Sequence, residues 1–292
     1  MFQKISELMK QQLEISYSEL INKFIRESTP ENAIEIAKII CKPNNKDIII
    51  RDLLKNLLSF ENGRKKGRDH VKHAVHTYLL GMIIIGAMDD LNNDEFKFIW
   101  KIASLFHDIG YERANYFSEI SSTSNLHIDH GIFSAQITWV ILYSEYIKAN
   151  PKKTRGFYPT KRNGVTVNSA WENIERYILP ACEAILLHDN PLKHNKNNKV
   201  SYRNNKCAFL LIICDALQMW RRSKKCDIGL DQGTSSELYQ IEGPNNNGDC
   251  YKLSMVFPDV AEAINVAKEL NEKCDCEAVP QGKVLEVKWN IR

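Results

Sequence analysis

The chain has 292 residues, of which 43% are hydrophobic, and a formal net charge of +3. This length allows one large domain or a domain with an appendage, and the apolar content is sufficient for a buried core. A charge so close to neutral does not indicate a nucleic-acid-binding protein, although it does not exclude nucleic acid as a partner. No apolar run reaches the roughly 18 residues of a membrane span and the N-terminus lacks the apolar block of a signal peptide. We therefore expect a cytoplasmic protein without membrane contacts.

Apolar residues recur at helical spacing through roughly the first 225 residues. The predicted helices span, in chain order, residues 3–27, 31–41, 46–60, 70 to about 88, 94–108, about 129 to 148, 171–188 and 207–224. Asp69 is placed to cap the fourth of these helices, and Gly110 is the expected C-terminal cap of the fifth. Pro180 marks a kink or a fresh start in the seventh. Residues 151–170 are predicted to form a long polar loop.

The sequence changes character after about Cys226. Residues 231–249 are rich in turn formers. The chain is then predicted to form a strand, a helix and a second strand, over residues 251–257, 259–273 and 284–290. We therefore predict a mainly α protein in which an N-terminal helical segment (1–60) packs on a helical domain (61–227). A small α/β appendage with β-α-β order (228–292) follows.

Eight cysteines are spread along the chain without a C-x-x-C pair. Neither a disulfide framework nor a cysteine-based zinc site is expected from this spacing and chain length. Cys274 and Cys276 flank a single residue and could bind a metal or react, but we expect two exposed thiols.

Asp215 is the most informative polar residue, because AFLLIIC precedes it and ALQMW follows it. An isolated buried carboxylate costs several kcal/mol, so a carboxylate in an apolar helix must be paired or must bind a cation. The alternatives are that Asp215 faces solvent or forms a buried ion pair with arginine or lysine.

Histidines and aspartates also stand at the ends or in the middle of other predicted helices. The full set comprises His70, His73 and His76 on one helix, the adjacent pair His107 and Asp108, His130, His188 and Asp215. A single histidine at a helix end is usually a satisfied polar residue or a partner of the helix dipole. A set spread over five helices instead indicates a common site. Mixed imidazole and carboxylate ligands favour Fe, Mn or Zn over Ca.

The order H…HD…H…H…D of this set resembles the HD-domain metalloprotein superfamily. The segments that carry the resemblance are RDHVKHAVHTYLLG, ASLFHDIGY, DHGIFSA and LLIICDALQMW. His73 matches the first histidine better than His70 or His76, because apolar residues follow it at +2, +6 and +7 as in the family. Two departures from the family pattern leave the subfamily open. Tyr111 stands where many HD phosphodiesterases have lysine. The ppGpp-hydrolase branch has a pair of acidic residues shortly after the HD pair, whereas this sequence has only Glu112 there.

The resemblance implies an HD-type helical bundle over residues 61–227, built around a mono- or dinuclear metal centre. In its six-ligand form Asp108 bridges two ions. One ion is held by His73, His107 and Asp215, and the other by His130 and His188. His107 and Asp108 are then also the catalytic pair, and the implied cofactors are one or two divalent ions of Fe, Mn, Mg or Zn.

Two ions about 3.5–4 Å apart can bind a bridging hydroxide and clamp a phosphoryl group. The predicted function is therefore a metal-dependent phosphohydrolase, of phosphodiesterase or nucleotidase type, with a metal-bound hydroxide as nucleophile. Its substrate would be a phosphorylated small molecule or nucleotide. Arg68, Lys72 and Arg221 lie nearest the ligands in sequence and are predicted to contact phosphate, although basic runs are often ordinary solvated surfaces. His70 and His76 are candidates for the general acid by proximity alone.

Two other functions fit the same residues. Some HD-fold proteins with this ligand set are di-iron oxygenases, and the basic loops would suit a phosphorylated substrate there too. A non-catalytic nucleotide-binding regulatory module is the third alternative, suggested by the appendage and the long loops. The sequence leaves oligomerisation open.

Overall fold

The computed structural model describes residues 2–5, 7–8, 24, 29–41, 70–111, 130–149, 161–162, 165–166, 174–189, 199–219, 239–246 and 248–291. Within them the α-helices are α1 (Pro30–Ile40), α2 (His70–Gly86), α3 (Asp94–Phe106), α4 (His130–Ala149), α5 (Leu179–His188), α6 (Lys206–Leu217) and α7 (Val260–Lys273). The strands are β1 (Gln3–Lys4), β2 (Lys161–Arg162), β3 (Val165–Thr166), β4 (Gln240–Asn246), β5 (Cys250–Val256), β6 (Glu277–Gln281) and β7 (Val284–Asn290). The predicted helix over 46–60 and the predicted cap Asp69 lie outside the described residues. None of the described helices has the length and apolarity needed to cross a bilayer.

Helix α2 is the central helix of the body. It packs against α1, α3 and α6, and nearly all of its side chains are buried. An isolated surface helix would show one apolar stripe, whereas a helix enclosed by neighbours is buried all round. The histidines of α2 are therefore carried into the interior.

A close contact between Gly81 and Trp100 fixes α3 against α2. A Cβ at Gly81 would lie 1.9 Å from the Trp100 ring, so only glycine permits this approach. The Trp100 indole donates a hydrogen bond of 3.1 Å to the Tyr78 carbonyl. Because a short turn makes the two helices antiparallel, the end of α3 returns to the N-terminal half of α2.

Helix α5 follows directly on a π-helical turn, and Pro180 lies next to the junction. Residues Ile174–Ile178 form a π-helical turn, and α5 then starts with Pro180 in its first turn. Proline is tolerated there because the first N–H groups of a helix have no intrahelical acceptor. The backbone at Ile178 is itself helical (φ −76°, ψ −48°), so Pro180 marks a change from π-helical to α-helical turns within a continuous helical segment that ends at His188.

The C-terminal part contains an antiparallel sheet larger than the two strands predicted. Its order is β1-β4-β5-β7-β6, and α7 packs on β6 and β7. The stretch predicted to be only turns contains β4, whose register with β5 shifts between Glu242 and Asn245, with Gly243 at φ 91°. Turn formers thus mark a bulge inside a strand here. Residues 3–4, predicted to be helical, instead form β1, and strands β2 and β3 pair within the predicted loop 151–170.

The sheet and the helical body meet at an aromatic cluster. The rings of Tyr202, Phe209, Tyr251 and Trp289 lie 5.5–6.3 Å apart between the start of α6 and the sheet. Asp90, in the turn after α2, accepts hydrogen bonds from Tyr202 (2.6 Å), Lys206 (2.6 Å) and Tyr251 (2.9 Å). One carboxylate therefore joins α2, α6 and the sheet.

Replacing Asp90 with asparagine is expected to lower the free energy of unfolding by about 1 kcal/mol at pH 7. Burial opposes the charge of Asp90, but the hydrogen bonds from Lys206, Tyr202 and Tyr251 outweigh it and lower the pKa of this carboxyl. A lowered folded-state pKa gives stability that is present above the unfolded pKa of about 3.9 and is lost as pH falls through the folded value. Denaturant unfolding at several pH values should therefore show a constant difference in the free energy of unfolding between wild type and Asp90→Asn from pH 7 to about 5. This difference should shrink below about pH 4. A gap that does not change with pH would contradict this assignment.

The cysteines that the structure describes are free thiols. The expectation that Cys274 and Cys276 are both exposed is wrong. Cys274 is completely buried at the C-terminal end of α7. Cys276 is half-buried, and its thiol donates to the Leu270 carbonyl at 3.8 Å. A hydrogen bond from Cys274 lowers the pKa of the Cys276 thiol.

Candidate metal centre

The fold brings the six sequence-predicted histidines and aspartates together at one end of the helical body. His73 lies in α2, His107 and Asp108 lie in the turn that follows α3, His130 begins α4, His188 ends α5 and Asp215 lies in the last turn of α6. The prediction that α3 includes the pair is therefore wrong by two residues, because the helix ends at Phe106. Because the pair follows the helix instead of continuing it, both side chains can face the cluster.

Asp108 is the hub of this cluster. It is 6% exposed, and its two carboxylate oxygens lie within 4 Å of ring nitrogens from five histidines. These are His130 at 3.0 Å, His70 at 3.3 Å, His107 at 3.6 Å, and His73 and His188 at 3.9 Å. A buried carboxylate surrounded in this way is a shared anionic partner for imidazoles on both of its sides.

Gly110 docks the turn that carries His107 and Asp108 onto α4. Its N–H donates to the Ser134 hydroxyl at 2.9 Å, and a Cβ at this position would lie 2.3 Å from the Ser134 backbone nitrogen. The expectation that Gly110 is the C-terminal cap of α3 is wrong, because His107 occupies that position. The missing side chain instead allows close approach, which sets Asp108 beside His130.

The first of two subgroups consists of His73, His107 and Asp215. The His73 Nε2 lies 2.8 Å from an Asp215 oxygen and 3.2 Å from the His107 Nε2. The His107 Nε2 lies 3.9 Å from the same Asp215 oxygen. Both histidines are buried, whereas the Asp215 side chain is 18% exposed. Asp215 therefore joins the site and does not simply face solvent.

The second subgroup consists of Asp108, His130 and His188. The His130 Nε2 lies 3.0 Å from an Asp108 oxygen and 3.1 Å from the His188 Nε2. His188 is buried and the His130 side chain is 19% exposed. Each subgroup thus has one partly exposed member through which solvent can reach it.

The four histidines of the two subgroups all turn Nδ1 away from the cluster and Nε2 towards it. The outward hydrogen bonds join His73 to the Gln218 amide oxygen, His107 to the Ser104 carbonyl, His188 to the Ile185 carbonyl and His130 to an Asp189 carboxylate oxygen. Because these oxygens only accept, each Nδ1 carries the hydrogen, and a neutral ring then has a bare lone pair at Nε2. Facing Nε2 atoms 3.1–3.2 Å apart therefore need a proton or a metal ion between them.

The electrostatics of the cluster also favour positive charge. Burial would raise the pKa of Asp108, but the charge of His107 and the hydrogen bonds from His130 and His70 outweigh it and hold this pKa well below its usual value. Burial likewise opposes a charge on His130, yet bonds to Asp108 and Asp189 raise its pKa to about 10. The pKa of His188 falls to about 4 through burial and the neighbouring charges of His107 and His130. A cation is therefore stabilised beside Asp108.

The donor set fits divalent metal ions. The groups His73, His107, Asp215 and His107, Asp108, His188 each place their ligand atoms within 4.8 Å of one another. Inward Nε2 atoms with outward Nδ1 hydrogen bonds are the arrangement that metal-bound histidines adopt in proteins. The cluster could hold a metal ion, and imidazole with carboxylate suits Fe, Mn or Zn.

The two histidines considered as proton donors occupy different places. His70 contacts Asp108, and its ring lies 5.1 Å from the ring of Tyr111, which lies 5.1 Å from His130 as well. His76 instead packs on Phe24 at 4.6 Å. Of the two, only His70 has a described contact with the cluster.

The residues predicted to contact phosphate are only partly described. Arg68 and Arg221 lie outside the described residues, and Lys72 is 6% exposed, next to His73 in α2. Lys273, at the end of α7, is a cation that the sequence analysis missed. Burial would lower its pKa, but the negative charges of Glu269, Asp215 and Asp189 raise it. The C-terminal part thus brings positive charge within electrostatic range of the cluster.

Asp189 and Gln218, which support His130 and His73 from behind, were also missed. Asp189 directly follows a predicted ligand, and Gln218 stands three residues after Asp215, close to it on one helical face. Their closeness in sequence to His188 and Asp215 was the signal that could have identified Asp189 and Gln218 as supporting residues.

No protein-family model matches this chain, and neither does any curated protein or solved structure.

Proposed function

We propose that this protein is a metal-dependent phosphohydrolase of the HD-domain type. The observation that carries the proposal is Asp108, whose buried carboxylate contacts five histidines and joins the two subgroups. A carboxylate shared between two imidazole groups is suited to bridge two ions. The six clustered side chains would then be the ligands that the resemblance implies, with Asp108 and His107 at the reacting centre.

Divalent ions bound there would activate water and neutralise the charge of a phosphoryl group. The residues of the chain have separate parts in this proposal. Asp108 and Asp215 supply the negative charge that retains the ions, and the outward hydrogen bonds hold the imidazoles in one orientation. His70, in contact with Asp108, is placed to exchange a proton with the site.

Positive charge near the cluster supports a phosphorylated substrate. Lys273 is paired with Glu269 at 2.8 Å and also interacts electrostatically with Asp215 and Asp189, and Lys72 is a buried residue that directly precedes His73 in α2. A cation next to a site of carboxylates and imidazoles can hold the non-reacting oxygens of a phosphate ester. Tyr111, whose ring lies 5.1 Å from the rings of His70 and His130, would offer an aromatic face to the base of a nucleotide bound at the cluster.

Elemental analysis and hydrolysis assays test the proposal together. Protein purified without chelator is expected to contain one or two equivalents of Mn, Zn, Fe or Mg and to hydrolyse at least one member of a panel of nucleotides and phosphodiesters. EDTA should abolish this activity, and Mn²⁺ should restore it.

Two outcomes would replace the proposal with its alternatives. Two equivalents of iron together with substrate-dependent oxygen uptake would indicate the di-iron oxygenase. Nucleotide binding by the metal-loaded protein without any turnover across the panel would indicate a regulatory module.

A further inference from the structure

The two subgroups differ in what stands behind their histidines. The Nδ1 atoms of His73, His107 and His188 donate to neutral oxygens of an amide side chain or the backbone. The Nδ1 of His130 donates to the carboxylate of Asp189 at 2.9 Å. The side chains of Asp189 and His130 are 12% and 19% exposed, so this contact is mostly buried and its charge is only partly screened.

The negative charges are also distributed differently. Besides the shared Asp108, the first subgroup has Asp215, which contacts the His73 Nε2 directly. Among the described residues, the second subgroup has no carboxylate of its own that contacts its inner nitrogens. Asp189 supplies the second negative charge from the outer side of the His130 ring.

We propose that Asp189 is a positioning residue that sets the metal affinity of the subgroup formed by Asp108, His130 and His188. This inference rests on the proposed metal centre and adds that its two subgroups are unequal. A carboxylate that accepts the Nδ1 hydrogen fixes the ring orientation and makes Nε2 a stronger electron donor. Gln218 fixes His73 in the same way for the other subgroup, but without a charge.

Titration of the metal-free, full-length protein with Mn²⁺ tests the proposal. The wild type is expected to bind Mn²⁺ in two steps, and Asp189→Ala should weaken one step about 10- to 100-fold. Asp189→Asn keeps an acceptor for the His130 hydrogen but loses the charge. Its Mn²⁺ affinity in that step should therefore lie between the affinities of the wild type and of Asp189→Ala. Gln218→Ala is the matched control, because it removes the outward partner of His73 and should weaken the other step. Circular dichroism and denaturant unfolding of each metal-free variant check that the fold is retained.

The outcomes separate this inference from the proposed function. If the wild type binds two Mn²⁺ ions and Asp189→Ala leaves both affinities unchanged, the role of Asp189 is wrong while the metal centre stands. The same holds if Asp189→Ala and Gln218→Ala weaken the same step. A wild type that binds a single ion would overturn the division into two subgroups, and one that binds none would overturn the proposed function as well.

Discussion

Replacing Asp108 with alanine is expected to abolish both metal loading and hydrolysis. The substitution removes the one carboxylate that both subgroups share and leaves five histidines around an empty volume. Removing one partner of a buried charged group costs about 3–5 kcal/mol when the remaining charge has no counterion. Without this carboxylate the neutral form of the imidazoles is favoured. The site also loses both a metal ligand and the negative charge at its centre, so it binds cations less well. Metal content by elemental analysis and turnover on the best substrate measure the two effects.

Two further variants make this test specific. Asp108→Asn preserves the shape of the side chain and removes its charge, so it should fold even where Asp108→Ala does not, and it should still fail to load metal. Asp94→Asn, at an exposed position in the first turn of α3, should retain metal and activity. Full activity in either Asp108 variant would show that the cluster is not the reacting centre.

The clustering of the six residues could be anticipated because imidazoles and carboxylates recur at the ends or in the middle of five predicted helices, although a single histidine at a helix end is ordinary. Asp215 lies in an apolar helix, and His73 precedes the apolar run YLLGMIIIG of its own helix. His130 begins one helix and His188 ends another. In a bundle of antiparallel helices, the start of one helix and the end of its neighbour lie at the same end, so these two residues could be expected to lie close together. The order of these residues along the chain then allowed a family resemblance to be recognised.

The supporting residues could not be predicted in the same way. Asp189 follows a helix and Gln218 ends one, and polar residues are common at both kinds of position. Their roles depend on how α4 packs on α5 and α2 on α6, which no local pattern specifies. Lys273 is a stronger example, because it comes within electrostatic range of Asp215 and Asp189 only when the C-terminal sheet and α7 pack on the helical body. Local sequence cannot give the distance between residues 58 positions apart, as Lys273 and Asp215 are.

The sheet shows the same limit for strands. The pattern of alternating apolar residues was sufficient to predict β5 and β7, whose inward-facing Tyr251, Leu253, Val287 and Trp289 are buried. It failed for β4, where glycine, proline and asparagine usually indicate a turn. It also failed for β1, because a two-residue strand has no periodicity and forms only by pairing with a strand more than 230 residues away.

Gly110→Ala is expected to lower the free energy of unfolding by about 1–3 kcal/mol or more, because the added methyl group overpacks a rigid contact. Its Cβ would lie 2.3 Å from the Ser134 backbone nitrogen and 2.6 Å from two atoms of Phe133, so α4 has to move away from the turn. His130 begins α4 and its contact with Asp108 is 3.0 Å, so the same movement should separate them and reduce metal loading. Ser134→Ala is the control: it removes the hydroxyl that accepts the Gly110 N–H, costs about 1 kcal/mol and introduces no clash. Because the clash is with the Ser134 backbone, the double variant should be no more stable than Gly110→Ala. A Gly110→Ala protein as stable as Ser134→Ala, with full metal content, would show that this close approach does not position the site.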